Sequence, residues 1–211
     1  MQLRLVTTLF ALVTIAILTL PSCDSVTDGK GKGLLSVSEE GATSLSPQNL
    51  ASSLENLPME EVSIEESDGL IYMREEEKLA RDVYLHLYNS FGASIFDNIS
   101  SSEQTHTDAV LTLLQRYEID DPVEDNAEGL FEDATLQALY DILTTQGDAS
   151  LTEALSVGAE IEEIDIIDIQ AQLDENVDNQ DITLVYESLL KGSRNHLRAF
   201  VQNLGAQGIT Y

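Results

Sequence analysis

From Ser63 to Leu204 the chain repeats its apolar residues at helical spacing, and no proline interrupts any of the four long runs that carry the pattern. A proline inside a helix removes a backbone donor and collides with the preceding turn, so uninterrupted runs of this length are free to stay helical. No stretch alternates apolar and polar residues between hairpin turns in the manner of a sheet. The pattern predicts an all-α domain over residues 61–205, followed by a short tail at 206–211.

Local signals place the helix ends. Ser63-Ile64-Glu65-Glu66 is a capping box, in which the serine side chain and Glu66 satisfy each other's backbone donors. The first long helix then runs through Met73, Leu79, Val83 and Leu87 to a natural stop at Gly92. A second begins near Ile95-Phe96 and reaches about Tyr117. A Pro-, Asp-, Asn- and Gly-containing connection follows, then a shorter helix from Asp133 to Thr145. The third long helix covers about Ser150 to Asp174 and the fourth about Asp181 to Leu204. Four long antiparallel helices with a long connection in the middle predict a bundle with a crossover, the ferritin-like arrangement, with an extra short helix in the crossover.

Each long helix carries an ionisable residue on its apolar stripe. Residues three or four apart share a helix face. Met73, Glu77, Ala80 and Tyr84 align in the first helix, with Glu75 and Glu76 pointing elsewhere. Glu103, His106, Val110 and Leu113 align in the second. Gly158, Glu162, Asp165 and Ile169 align in the third, with Glu163 beside them. Val185, Leu189, Gly192, His196 and Ala199 align in the fourth. Ionisable groups on apolar faces are costly unless paired, hydrogen-bonded or bound to metal. The Glu103-x-x-His106 spacing lets a carboxylate and an imidazole grip one cation from a single helix. His86 stands nine residues from Glu77, out of phase with it, and is expected at the surface.

Four segments resemble a ferritin-like family known as domain of unknown function 2202. They are Met73 to Tyr84, Ser102 to His106, Gly158 to Ile166, and Gly192 to Phe200. The resemblance spans roughly residues 60 to 205. It implies a rubrerythrin-related four-helix bundle with a metal site, and no established reaction. Carried over by position, it makes Glu77, Glu103, His106, either Glu162 or Glu163, and His196 the metal ligands. Tyr84, on the same face as Glu77, reads either as a core-packing ring or as a group that hydrogen-bonds a ligand or scavenges radicals. The chain departs at Ser193, where a full second Glu-x-x-His would need a glutamate, so a six-ligand di-iron site is one carboxylate short. Asp165, one turn after Glu162, is placed to compensate; otherwise the site holds one ion. Mixed imidazole and carboxylate ligands suit iron, manganese or zinc, and geometry alone does not choose among them; one or two iron ions are the expected cofactor, with manganese or zinc as alternatives. Iron would allow oxygen or peroxide reduction, or ferrous oxidation.

The N-terminus reads differently. Arg4 and the apolar run Leu5 to Leu20 form a secretory signal over residues 1–22, too short for a spanning helix. Leu20-Pro21-Ser22-Cys23 is similar to a bacterial lipobox, although Pro21 is unusual there. Cys23 is the chain's one cysteine, which excludes an internal disulfide and makes it the candidate lipid attachment point. The expected destination is the cell envelope, as a membrane-anchored lipoprotein or a periplasmic or extracellular protein. Residues 23–60, rich in Ser, Gly and acidic groups, read as a flexible tether with a short helix after Ser46-Pro47.

A net charge of −28, from 38 acidic and 10 basic residues, disfavours nucleic acid and anionic lipid faces as partners. It leaves two classes of function. The first is a metal-binding, redox-active bundle. The second is a non-catalytic acidic interaction module whose buried glutamates are neutralised by His106, His196 and Arg194, without metal.

Overall fold

The computed structural model describes residues 33–211 apart from Glu39 and Asp125. Its elements are β1 (Leu35–Val37), β2 (Thr43–Leu45), α1 (Pro47–Glu55), α2 (Ile64–Phe91), α3 (Ser94–Arg116), α4 (Ala134–Gly147), α5 (Leu151–Glu175) and α6 (Gln180–Ala206). The protein is mostly helical, and its strands form one two-stranded antiparallel hairpin in which Leu35 faces Leu45 and Val37 faces Thr43. The signal segment and Cys23 lie outside the described residues.

The caps sit where the sequence signals put them. The Ser63 hydroxyl receives the Glu66 backbone N–H and Glu66 receives that of Ser63. Gly92 ends α2 in the left-handed conformation that a residue without a Cβ adopts most readily. Two-residue and four-residue connections force α2 against α3 and α5 against α6 as antiparallel pairs. The pairs then meet, α2 with α5 and α3 with α6, and α4 lies across α2 and α5.

The core is divided lengthwise. One apolar cluster takes Leu79, Val83, Tyr84 and Leu87 of α2, with Phe96, Ile99, Val157, Ile161, Phe200 and Leu204. The other takes Leu70 and Met73 of α2, with Val110, Leu113, Ile169, Ile182, Val185 and Leu189. The long helices pass from one cluster to the other through a layer of polar side chains at Glu76–Glu77, Glu103–His106, Glu162–Asp165 and Gly192–His196. Apolar burial of about 1.5–3 kcal/mol per large side chain on both sides holds this layer in a fixed place.

One expectation is corrected. Residues 34–55 are not a tether: Leu34, Leu45, Leu50 and Leu54 are buried in the second cluster. Asn49 Nδ2 donates to the Gly33 carbonyl at 2.7 Å, and Arg116 reaches the Leu57 carbonyl at 3.2 Å. The short helix after Ser46-Pro47 is present, with Ser46 as its cap. The hairpin escapes a periodicity reading because each strand has three residues, and Ser and Gly dominate between the leucines.

Candidate metal centre

The four long helices deliver their inward ionisable groups to one level. Glu77, Glu103, His106, Glu162 and His196 are each fully buried. Glu77, Glu103 and His106 offer donor atoms within 4.8 Å of one another, and so do Glu103, Glu162 and His196. Glu103 belongs to both groups, so its carboxylate lies between two three-donor cups. Both imidazoles present Nδ1 to this carboxylate: His106 Nδ1 lies 2.8 Å from Glu103 Oε2, and His196 Nδ1 lies 2.7 Å from Glu103 Oε1. Each ring also faces a second carboxylate, Glu77 at 3.2 Å from His106 and Glu162 at 3.4 Å from His196. The rings stack at 5.3 Å.

Closeness here is hydrogen bonding at one contact alone among these five residues. His106 Nδ1 has hydrogen-bond geometry toward Glu77 Oε2. His196 Nδ1, both oxygens of Glu103, Glu77 Oε1 and Glu162 Oε2 have no hydrogen-bond partner, although all are shut away from water. A buried acceptor without a donor costs about 1–3 kcal/mol, more when charged. Several in one place are what a group of donors left for a cation would show. Even with both imidazoles protonated, three carboxylates leave a surplus negative charge. That donor set, nitrogen and oxygen with a shared carboxylate, is chemically suited to a divalent transition-metal ion.

The electrostatics follow the packing. Burial by itself raises Glu103, but the His196 and His106 charges on either side outweigh it and hold the carboxyl far below its ordinary range. Burial would lower both histidines; Glu103 and Glu77 instead lift His106 well above its usual value, and Glu103 and Glu162 lift His196 to about 9. Burial pushes Glu77 and Glu162 up to about 7 against the pull of their histidines. Asp165, also buried, is raised well above an ordinary aspartate by burial and by Glu77, Glu76 and Glu162.

The remaining expected site residues divide. The Tyr84 hydroxyl lies 2.7 Å from Glu162 Oε1 and steadies that carboxylate, while its ring packs on Phe200 at 5.3 Å. Asp165 lies beside the cups without joining either, and its Oδ2 has no partner. Ser193 is buried, but its hydroxyl donates back to the Leu189 carbonyl at 3.2 Å and supplies no ligand. Glu163 is corrected out of the ligand set: it is exposed and receives the Tyr211 hydroxyl at 3.0 Å. Arg194 is likewise corrected out of the buried network, because it is exposed and points toward Gln170. His86 stands apart near the surface, paired with Asp148 at 2.9 Å.

Three contributors escaped the sequence reading. Gly192 lacks a side chain where the His106 ring packs, and a methyl group there would overlap the imidazole. Its place on the apolar stripe was visible, but not the ring opposite. Glu76 is buried with both oxygens unpartnered, despite facing away from the Glu77 stripe, and burial followed by the nearby Asp168 pushes its carboxyl well above the ordinary range. Thr43 of β2 contacts both histidines. No sequence signal links a threonine in a Ser-rich segment to helices 60 or more residues later.

Helical architecture and buried glutamate–histidine cups define a helical protein with a candidate metal centre. The chain belongs to the family described as uncharacterized protein domain DUF2202, which matches residues 66–211. It is similar to the uncharacterized protein MJ0754 of Methanocaldococcus jannaschii, 52% identical over 158 residues, or 75% of this chain and 85% of that protein. The crystal structure of hypothetical protein MJ0754 superimposes with a TM-score of 0.72 at 52% identity, covering 74% of this chain and 89% of that one. The family match begins at Glu66, so the hairpin that carries Thr43 lies ahead of it.

Proposed function

We propose that the four long helices form a ferritin-like bundle that binds one or two transition-metal ions, iron foremost, between Glu77, Glu103, His106, Glu162 and His196. The observation that carries this reading is Glu103: both oxygens are buried, within 2.8 Å of an imidazole nitrogen and without a hydrogen bond. Iron held there would supply redox chemistry toward oxygen or peroxide, or undergo ferrous oxidation. The protein's part is to keep the ligands fixed and dry. Tyr84 orients Glu162, and the two apolar clusters exclude water above and below. Ser193 leaves α6 with His196 as its contribution to the cups, and each cup then offers two carboxylates and one imidazole, with Glu103 shared between them.

Metal analysis of protein purified without chelator or affinity-tag metal tests the reading, followed by a metal-soaked crystal with anomalous data. One or two equivalents on these residues are expected. A protein that takes up no iron, manganese or zinc is instead a salt-bridged acidic module, the arrangement that the His106–Glu77 hydrogen bond would support.

The envelope location is part of the proposal and rests on Leu20-Pro21-Ser22-Cys23. Cys23→Ser is expected to release the protein from the membrane fraction of a bacterial host. Unchanged association would count against lipid attachment.

A further inference from the structure

Thr43 occupies an unusual position for a residue of an N-terminal hairpin. Its Oγ1 lies 3.2 Å from His106 Nε2 and 2.9 Å from His196 Nε2. One hydroxyl thus bridges the outer nitrogens of the two rings whose inner nitrogens face Glu103. The alternation of a strand puts Thr43 and Leu45 on the buried side and Ser44 outside. Four further bonds pin the strap. Thr43 N donates to Ser102 Oγ at 2.9 Å and Leu45 N to Thr105 Oγ1 at 3.2 Å. Asn195 Nδ2 donates to the Gly41 carbonyl at 2.9 Å and toward that of Ser38 at 3.4 Å. Gly41 has a positive φ of 93° and packs where a methyl group would overlap Ala199, so the turn fits tightly against α6. These anchors come from Ser102, Thr105 and Asn195, neighbours in sequence of Glu103, His106 and His196. The strap is built onto the helices at the level of the centre.

We propose that Thr43 is a positioning residue for both histidines, its hydroxyl oxygen accepting the two Nε2–H groups and so holding both Nδ1 atoms toward Glu103. A hydroxyl oxygen has two lone pairs, which matches two donors. An imidazole that binds a metal through Nδ1 carries its proton on Nε2, and the partner of that proton fixes ring tautomer and orientation. A protonated imidazole also has a proton on Nε2. The Thr43 contacts are therefore the same with and without a metal ion, and only the Nδ1 side changes partner. The hairpin, outside the matched family region, thereby becomes part of the ligand-orienting shell. This inference rests on the metal-binding reading for its effect on affinity, and on the hydrogen bonds alone for its effect on the rings.

The test uses the full chain, as wild type, Thr43→Val, Thr43→Ser and Leu45→Ala. The Val variant keeps the shape and removes the hydroxyl. The Ser variant restores it. The Leu45 variant loosens the strap without touching it. Two readouts are taken: cobalt(II) affinity by chelator competition with its visible spectrum, and imidazole proton and nitrogen resonances of metal-free protein. The expected result is a roughly 10–100-fold loss of cobalt affinity in Thr43→Val and recovery to within about threefold in Thr43→Ser. Wild type and Thr43→Ser should show two slowly exchanging Nε2–H resonances, and Thr43→Val should lose their protection. Equal affinity in Val and wild type, a Ser variant no better than Val, or a Leu45→Ala loss as large as that of Val would overturn the proposal. A wild type that binds no cobalt sinks the metal reading by itself. The Nε2–H resonances then still decide whether Thr43 holds the rings.

Discussion

Glu75 and Glu77 are two residues apart on α2, both buried, and they meet opposite fates. Glu75 receives the backbone N–H groups of Glu132 at 2.6 Å and Asp133 at 2.9 Å, at the start of α4. Its neighbours on the same side are equally well served. Arg74 pairs with Asp121 at 3.0 Å and donates to the Thr107 carbonyl. Lys78, fully buried, meets Asp82, the Ala127 and Leu130 carbonyls and the face of Phe131. These charges staple the crossover to the bundle, and each polar atom has a partner. Glu77 faces the other way, where Oε1 has none. The lesson is that burial of charge by itself says little. Complete partnering marks structure, and a shared lack of partners among clustered nitrogen and oxygen donors marks a candidate site for a cation.

The sharpest way to break this comparison is to remove Glu103. Glu103→Ala takes a donor from both cups and leaves two imidazoles without their common carboxylate. Metal content is expected to fall from one or two equivalents to near zero, with His106→Ala close behind; retained metal in both would end the distinction. On the partnered side, Lys78→Ala strands Asp82 with fewer donors. A loss of about 3–5 kcal/mol in stability is expected from breaking a buried pair, measured by denaturant unfolding, with metal stoichiometry unchanged. A small loss there would show that complete partnering of these charges contributes little to stability.

A pH series sharpens the contrast without mutation. Glu77 and Glu162 titrate near 7 in the fold against an ordinary 4.5, so between those values the folded protein binds more protons than the unfolded chain. Stability then falls as pH rises through that interval. His196 works in the same direction: its stabilisation is complete below its ordinary 6.5 and is lost as pH rises through about 9. Glu103 acts oppositely, but only in acid, because its depressed carboxyl must be protonated there. The melting temperature of metal-free protein is therefore expected to decline from about pH 5 to pH 9. Bound metal should reverse the slope, since the cation replaces the protons and binds more tightly as they leave. A metal-free melting curve that rises across this range would contradict the buried charge arrangement.

The smallest effects are expected at residues of the same types placed outside. His86→Ala and Glu163→Ala should leave metal content unchanged and shift stability by about 0.5 kcal/mol or less. A loss of metal in either would show that ligands reach the centre from outside the inward stripes.

Much of the architecture was legible because helix signals are local. Capping at Ser63, the stop at Gly92 and unbroken periodicity depend on residues within a turn or two of each other, so the helix bounds could be read from them. The phase of Glu77, Glu103, His106, Glu162 and His196 was readable for the same reason, since a helix fixes which residues share a face. Glu162 and Glu163 were harder, being 100° apart on a stripe edge; packing against α6 selected Glu162 and left Glu163 to Tyr211.

Sequence alone thus determined the helices and their inward carboxylates and imidazoles. Tertiary structure decided what those groups meet. It placed Glu103 between two histidines, packed the His106 ring against Gly192, gave Arg74, Glu75 and Lys78 their crossover partners, and brought Thr43 across from a three-residue strand. Helical phase is set by covalent geometry and bonds four residues apart, whereas these contacts join residues separated by up to 153 positions. Such contacts depend on loop closure and on the summed burial of leucines in the two clusters, which no local pattern encodes.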